Sequence, residues 1–340
     1  MDIVTKQPVL VTGASGFIGR RLVRRLIARQ CPVSCLVRTT SQVEELRSAG
    51  AQLVTGDVTD RGSMERALAD ARPASVFHLA GLVKARRRGD FTTVNAGGVA
   101  NVAAACADRA HPPVLVVVSS LSAAGPCAAG TPRVEADIPV PVSRYGRSKL
   151  AGEHAAAMYA GTVPISLVRP PIVFGPGDKG VLEIFRPIAH WGLHFVPGLS
   201  DRQFSLVHAD DLVEGMLLAA EKGERIGARG PPGQGIYFIA GNDNPTYAEL
   251  GRAISMALDR KSVALVRLPG PLLRLAGIGG DLITRIRRQP GWISSDKISD
   301  ALAGSWTCSS AKAHMQLGWS HQAPLPERLR ETAQWYRQMG

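Results

Sequence analysis

A short apolar run, Pro8-Val9-Leu10-Val11, leads directly into Thr12-Gly13-Ala14-Ser15-Gly16-Phe17-Ile18-Gly19, after which Ile18, Leu22, Val23, Leu26 and Ile27 recur at helical spacing. Strand, glycine turn and helix in that order leave few folds open. Gly13 permits the tight turn, Gly16 lets the backbone approach a pyrophosphate, and Gly19 lets the helix pack closely on its strand. The first N–H groups of the helix then face the anion. A glycine-rich connection that merely joins two elements is the plainer alternative. Its place at the head of a long β/α alternation counts against it.

That alternation continues for half the chain. Strand-like stretches at 32–37, 51–55, 74–79, 114–118 and 165–168 are separated by helical ones at 42–48, 63–69, 93–109 and 145–160. The order predicts an α/β fold, a Rossmann-type doubly wound parallel sheet covered on both faces, with ligands at the carboxyl ends of its strands.

Two local features narrow the chemistry. In Tyr145-Gly146-Arg147-Ser148-Lys149 a phenol and an ammonium lie four residues apart, on one face of a helix. The ammonium is expected to pull the Tyr145 pKa down toward working pH, as a general acid/base requires. Ser119-Ser120 stands about twenty-five residues upstream. The second feature follows the second strand, where Val37-Arg38-Thr39-Thr40-Ser41 carries no acid until Glu44. An acidic side chain there would bond the adenosine ribose of NAD. Arg38 instead suits a ribose 2′-phosphate, with Thr39 or Ser41 adding hydroxyls, so NADP(H) is favoured over NAD(H). The alternative is that Arg38 stacks on adenine without selecting either form.

Taken with Gly56-Asp57-Val58, His78-Leu79-Ala80-Gly81 and Arg169-Pro170-Pro171-Ile172-Val173-Phe174-Gly175-Pro176, these motifs resemble the extended short-chain dehydrogenase/reductase family, also called the NAD-dependent epimerase/dehydratase family. The resemblance runs in register from about residue 8 to 215 and more loosely to the C-terminus. It implies a glycine turn, Gly13, Ser15, Gly16, Phe17, Ile18 and Gly19, that binds the dinucleotide, and Asp57 and Val58 that hold the adenine. Leu79, Ala80 and Gly81 would line the cofactor, with Asn95 near it. Tyr145 would be the proton donor and acceptor, and Ser120 would bond the substrate oxygen. Lys149 would lower the tyrosine pKa while binding the nicotinamide ribose, and Pro170 and Val173 would fix the nicotinamide ring. Ser119 remains an alternative to Ser120. Gly98-Val99 departs from the family's usual glycine-threonine, which predicts a missing local hydrogen bond. Family members often pair through the helix holding the dyad and its neighbour, so a homodimer is implied.

The sheet domain is expected over 1–173, with 205–240 returning to it, and a substrate lobe over 174–204 and 241–340. Residues 177–202 read as irregular structure with one short helix; helices are expected near 246–258, 269–288, 310–317 and 325–338. Relatives acting on nucleotide-sugars commonly place an arginine just before the strand preceding His208-Ala209-Asp210-Asp211. That position here is Phe204, with Arg202 two residues earlier on the same strand face. Phe204, with Leu193, Phe195 and Val196, points to an apolar ketone or alcohol as substrate, as in the 3β-hydroxysteroid dehydrogenase and dihydroflavonol reductase branch. A nucleotide-sugar epimerase or dehydratase with tightly bound NAD is the second reading, and a non-catalytic cofactor sensor the third.

Composition sets the outer bounds. With 340 residues and 45% hydrophobic content, and mean hydropathy +0.03, the chain reads as soluble and globular. No apolar run is long enough to span a bilayer, and Met1–Pro8 does not resemble a signal peptide. Five scattered cysteines suggest neither a disulfide framework nor a metal site, and a cytoplasmic location is expected. The formal charge of +12 favours anionic partners. An aromatic content of 5% and the lack of any nucleic-acid-binding signature argue against DNA or RNA. Much of the excess is arginine on helix faces, where a solvated surface is the plain expectation. Two basic stretches stand apart. Lys84-Ala85-Arg86-Arg87-Arg88 follows the fourth strand and suits a phosphate-bearing substrate or acidic carrier, or is a solvated loop. Residues 271–288 form a basic amphipathic helix suited to a membrane surface. Gly277, Gly279 and Gly280 weaken that helix, which favours ordinary packing of its apolar side against the sheet.

Overall fold

The computed structural model describes residues 6–85, 87, 89–287, 291 and 293–338. In chain order its first half runs β1 (Val9–Thr12), α1 (Phe17–Ala28), β2 (Val33–Val37), α2 (Glu44–Ser48), β3 (Gln52–Thr55), α3 (Arg61–Ala71) and β4 (Ser75–His78). A π-helical turn (Thr92–Gly97) then leads into α4 (Gly98–Ala107), followed by β5 (Val114–Val118), α5 (Leu121–Ala124), α6 (Arg144–Ala157) and β6 (Ile165–Arg169). The second half comprises β7 (Ile172–Phe174), α7 (Leu182–Trp191), β8 (Leu193–Pro197), β9 (Leu206–His208), α8 (Ala209–Lys222), β10 (Ile236–Phe238) and α9 (Tyr247–Ala257). It ends with β11 (Ala264–Leu268), α10 (Gly270–Arg287), α11 (Ser295–Leu302), α12 (Ala311–Leu317) and α13 (Leu325–Gln338).

Seven strands form a parallel sheet in the order β10-β6-β5-β4-β1-β2-β3. The order reverses beside β1, so the carboxyl ends of β1 and β4 open the crevice in which such sheets bind ligands. Every residue of β1, β2, β4 and β6 is buried. That is why these strands read as continuous apolar runs and not as alternating ones. One face of the sheet packs on α1, α8 and α12 through Leu22, Leu26, Leu212, Met216 and Leu317. The other packs on α3, α4 and α6 through Met64, Leu68, Val102 and Ala156. A separate cluster, with Phe185, Ile188, Leu250, Ile254 and Leu329, joins α7, α9 and α13 in the C-terminal lobe.

The arginines of α1 are not simply solvated. Arg21 pairs with Asp210 at 2.5 Å, Arg25 with Glu214 at 3.2 Å, and Arg29 with Glu214 and Glu221 at 2.5 and 2.9 Å. Partly exposed pairs of this kind are worth about 0.2–1 kcal/mol each. Their effect is to set how α1 meets α8.

The structure departs from the sequence reading in three places. The helix expected over 93–109 opens with a π-helical turn holding Asn95, a distortion frequent at functional sites. Residues 177–202 are more ordered than expected. α7 runs ten residues with Pro187 inside and stops at Gly192, φ +66. Behind it β8 pairs in parallel with β11. Finally, α11 buries none of its residues, so it carried no core periodicity to betray it.

A buried ion pair ties α6 to the strand that follows it. Arg169, at the end of β6, donates from Nε and Nη2 to Glu153 on α6, at 2.9 and 2.5 Å, with side chains 2% and 4% exposed. Removing one member of such a pair strands a buried charge, at a cost of about 3–5 kcal/mol, whereas replacing both by apolar groups is often neutral. Glu153→Ala is therefore expected to lower the unfolding free energy by about that amount in urea titration. Glu153→Leu combined with Arg169→Met should restore most of it.

Candidate active site

The glycine turn fits the anion it was expected to hold. Gly13 has φ +71, and a Cβ there would lie 2.6 Å from the Ala80 nitrogen. A Cβ on Gly19 would lie 2.2 Å from the Gly13 carbonyl oxygen, so β1 and α1 approach only because it has none. Gly16 is exposed, and α1 begins there with no side-chain cap and no acid in its first turn. Its leading N–H groups are thus left for a phosphate. Arg38 is exposed immediately after β2, where its N–H donates to Ser41 Oγ at 3.1 Å. Asp57 Oδ1 accepts from the N–H and hydroxyl of Thr59, both at 2.9 Å. Val58 is buried in the core, and its carbonyl accepts from Asn101. These residues fit a dinucleotide lying across the ends of β1 to β3.

A cavity of about 770 Å³ lies beyond it, between the sheet and the C-terminal lobe. It is lined by Ser120, Tyr145 and Lys149 together with Ile18, Leu79, Gly81, Pro170 and Val173. Thus residues spread from 18 to 173 in sequence meet at one crevice. A smaller cavity of about 330 Å³, between Glu135, Glu224 and Lys312, contains none of them.

Three contacts place Tyr145. Ser143 caps α6 by accepting from the Gly146 N–H at 3.0 Å. Asp296, from α11, accepts from the N–H groups of Arg144 and Tyr145 at 2.7 and 3.2 Å. The lobe thereby supplies the carboxylate that a helix N-terminus favours. Deeper along the helix, a Cβ on Gly152 would lie 2.6 Å from the Asn95 carbonyl oxygen, so α6 sits tightly on the π-helical turn. Asn95 is braced in turn: its amide exchanges hydrogen bonds with Leu82 at 2.7 and 3.0 Å and donates to Ser148 Oγ at 2.9 Å. At the family's usual threonine, Val99 is 3% exposed and packed in the core.

The two serines separate by geometry. Ser119 is buried and its hydroxyl donates to Glu153, whereas Ser120 caps α5 by accepting from the Ser122 N–H at 3.1 Å and lines the cavity with Tyr145. The electrostatics differ from the sequence expectation. Burial pushes the Tyr145 phenol up, with the Ser120 hydrogen bond pulling down and the Asp300 charge pushing up again. The Lys149 ammonium donates to the Val118 carbonyl at 2.6 Å. Burial holds Lys149 itself down to about 8, the Glu153 charge opposing. The neighbouring His78, bonded to Thr12 Oγ1 at 2.8 Å, is held by burial near 3.

The sequence reading missed much of the opposite wall. Phe91 sits with its ring 6.0 Å from that of Tyr145. Tyr247, Trp306, Ile184 and Ile298 add apolar surface, and Asp300 and Lys297 add charge. Burial pushes Asp300 up to about 6 and lowers Lys297. Ser294-Ser295-Asp296, a helix-start signature, was the available signal for α11. Of the run at 84–88, Lys84 and Arg87 line the cavity and are not merely solvated, while Arg86 and Arg88 fall outside the described residues. Burial lowers Lys84 to about 8, with the Lys297 charge adding to the effect. Phe204 lines the cavity, packed edge-on to Tyr247 at 4.8 Å. Arg202 does not reach in: its guanidinium donates to the carbonyls of Pro197 and Ala301 at 3.2 and 3.5 Å.

A parallel sheet with a phosphate-ready turn beside a tyrosine–lysine pair defines a nucleotide-dependent enzyme. The family model described as "NAD dependent epimerase/dehydratase family" matches residues 9–237, and the chain belongs to that family, the extended short-chain dehydrogenase/reductases. It is an NAD(P)-dependent oxidoreductase. Among its relatives is a ceramide reductase of Caulobacter vibrioides, 31% identical over 98% of this chain and 95% of the relative. Another is a UDP-glucose 4-epimerase of Mycolicibacterium smegmatis, 31% identical over 96% of this chain and 98% of the relative. The fold is shared with the UDP-glucose 4-epimerase of Thermus thermophilus, solved in complex with NAD. There the TM-score is 0.76 at 23% identity, covering 97% of this chain and 98% of that one.

The depressed Lys149 value carries a signed consequence. A buried ammonium costs stability at all pH below about 8, and the cost fades as pH rises toward 10.5, where the unfolded chain also loses its proton. Lys149→Met should therefore be more stable than the native chain at pH 7 by about 1–3 kcal/mol. In urea titrations the difference should vanish above pH 10.5 or so.

Proposed function

We propose that this chain is an NADP(H)-dependent reductase or dehydrogenase that interconverts a carbonyl and a secondary alcohol on a hydrophobic substrate. The observation that carries the substrate side is the cavity wall opposite Tyr145. Phe204, Tyr247 and Trp306 pack together there, Phe91 adds its ring beside Tyr145, and Arg202 is tied back to backbone carbonyls. The likeness to a ceramide reductase points the same way. The nucleotide-sugar reading keeps one support, the equally identical epimerase, but lacks a cation at the position of Phe204.

A bound nicotinamide dinucleotide supplies or accepts the hydride. Everything else falls to the chain. Leu79, Gly81, Pro170 and Val173 line the inner end of the crevice and would hold the nicotinamide, Gly13, Gly16 and Gly19 the pyrophosphate, and Arg38 a ribose 2′-phosphate. Ser120 would hold the substrate oxygen against Tyr145, and the phenol would give it the proton in reduction and take it back in oxidation. General acid catalysis of this kind is worth roughly 10²- to 10⁴-fold. Lys149, which reaches the end of β5, would turn to the nicotinamide ribose. A homodimer through α4 and α6 and a cytoplasmic location belong to the same proposal.

Tyr145→Phe should abolish turnover of a hydrophobic ketone while leaving NADPH affinity within about twofold by fluorescence titration; retained turnover would place the acid elsewhere. In calorimetry the same ketones should bind and UDP-sugars should not, and saturable UDP-sugar binding would restore the epimerase reading. Arg38→Ala should weaken NADPH far more than NADH, by about tenfold or more for loss of a charge-assisted contact. Equal losses would end the choice of NADP(H).

A further inference from the structure

Helix α10 is built inside out. Leu272, Leu275, Ile278, Leu282, Ile283 and Ile286 are between 53% and 73% exposed. Its buried residues are Leu273, Gly277 and Thr284. At 100° per residue the six large apolar side chains span about 140° of the helix, and the buried residues lie on the opposite side. The sequence expectation of an apolar side packed on the sheet is thus reversed. The glycines explain it. A Cβ on Gly280 would lie 2.2 Å from the Ile293 carbonyl oxygen, and one on Gly277 would lie 3.0 Å from the Ser295 Cα. They let α10 press against the segment leading into α11, and the bulky residues are left facing out. Ile293, 55% exposed, adds to the apolar surface.

The charges around that surface say what covers it. On the helical wheel Arg274 and Arg285 border the apolar arc on one side and Arg287 on the other. All three are exposed, and none is in an ion pair among the described residues. The helix's one acid, Asp281, is turned inward and accepts from the Ser295 N–H at 3.3 Å. Leucines and isoleucines flanked by arginines match a bilayer interface, with acyl chains against the centre and anionic headgroups at the rim. No helix among the described residues is long and apolar enough to cross a membrane, so the contact is peripheral. The placement is also continuous with the cleft: Asp281, Thr284 and Arg285 of α10 line the cavity that holds Tyr145.

We propose that α10 seats this protein on an anionic lipid surface through Leu272, Leu275, Ile278, Leu282, Ile283 and Ile286, with the mouth of the catalytic cavity beside the bilayer. The delivery of a lipid-like carbonyl substrate from that surface rests on the function proposed above. The seating does not, and the experiment reads the seating alone.

The full chain is sedimented with vesicles of phosphatidylcholine alone and of phosphatidylcholine with phosphatidylglycerol. Binding is expected to the anionic vesicles, weakening with salt. Leu275→Glu combined with Leu282→Glu should reduce the bound fraction by about tenfold or more. Neither residue lines the cavity, so the double variant should keep its thermal midpoint and its affinity for NADPH or NADH. Three results would overturn the proposal: no binding to either vesicle, equal binding by the double variant, or a concentration-dependent dimer abolished by the same substitutions without vesicle binding, which would assign the surface to a second copy of the chain.

Discussion

The carboxylate of Glu153 is the point on which α6 turns. It accepts from Arg169 at the end of β6 and from Ser119 at the end of β5. Two central strands and α6 are thereby fixed through one buried charge. Because the bonds to Arg169 are paired and directional, they set the helix's rotation as well as its distance. Rotation is what matters, since it decides whether Tyr145, two turns earlier, faces the cavity. The same contacts remove Ser119 from the chemistry and leave Ser120 beside the phenol.

Burial biases several ionisable groups beside the cavity toward neutrality. Tyr145 is raised, Lys149 and Lys84 are lowered to about 8, and Asp300 is raised to about 6. The expectation from spacing alone was different: an ammonium one turn away should favour the phenolate. Spacing gives the two side chains a common face, but not where the ammonium goes. It goes to the Val118 carbonyl, and desolvation then outweighs charge.

The central sheet was legible because most of its strands are buried on both faces and its helices on one, so periodicity reports it directly. The glycine turn was legible for a sharper reason. Gly13 and Gly19 occupy places where a Cβ would overlap backbone, and no other residue satisfies them. Residues 174–340 were less so. α11 has no buried residue, β8 and β11 are a small pair with exposed positions, and Pro187 inside α7 reads as a break. In α10 the pattern itself misled. An apolar stripe normally marks the inward face of a helix, but here close packing through Gly277 and Gly280 took that face. Lys297 and Asp300 lie on a segment whose sequence gives no hint that it reaches Tyr145.

The lobe is also tied to the chemistry through Asp296, whose two oxygens take the N–H groups of Arg144 and Tyr145. A helix N-terminus without such a partner carries orphan donors into a cleft. Thus the segment that walls the cavity also completes the helix that carries Tyr145. α11 is packed against α10 through the glycine contacts and carries Asp296, Lys297 and Asp300, so the same pair of helices holds an exposed apolar face on one side and part of the cavity wall on the other.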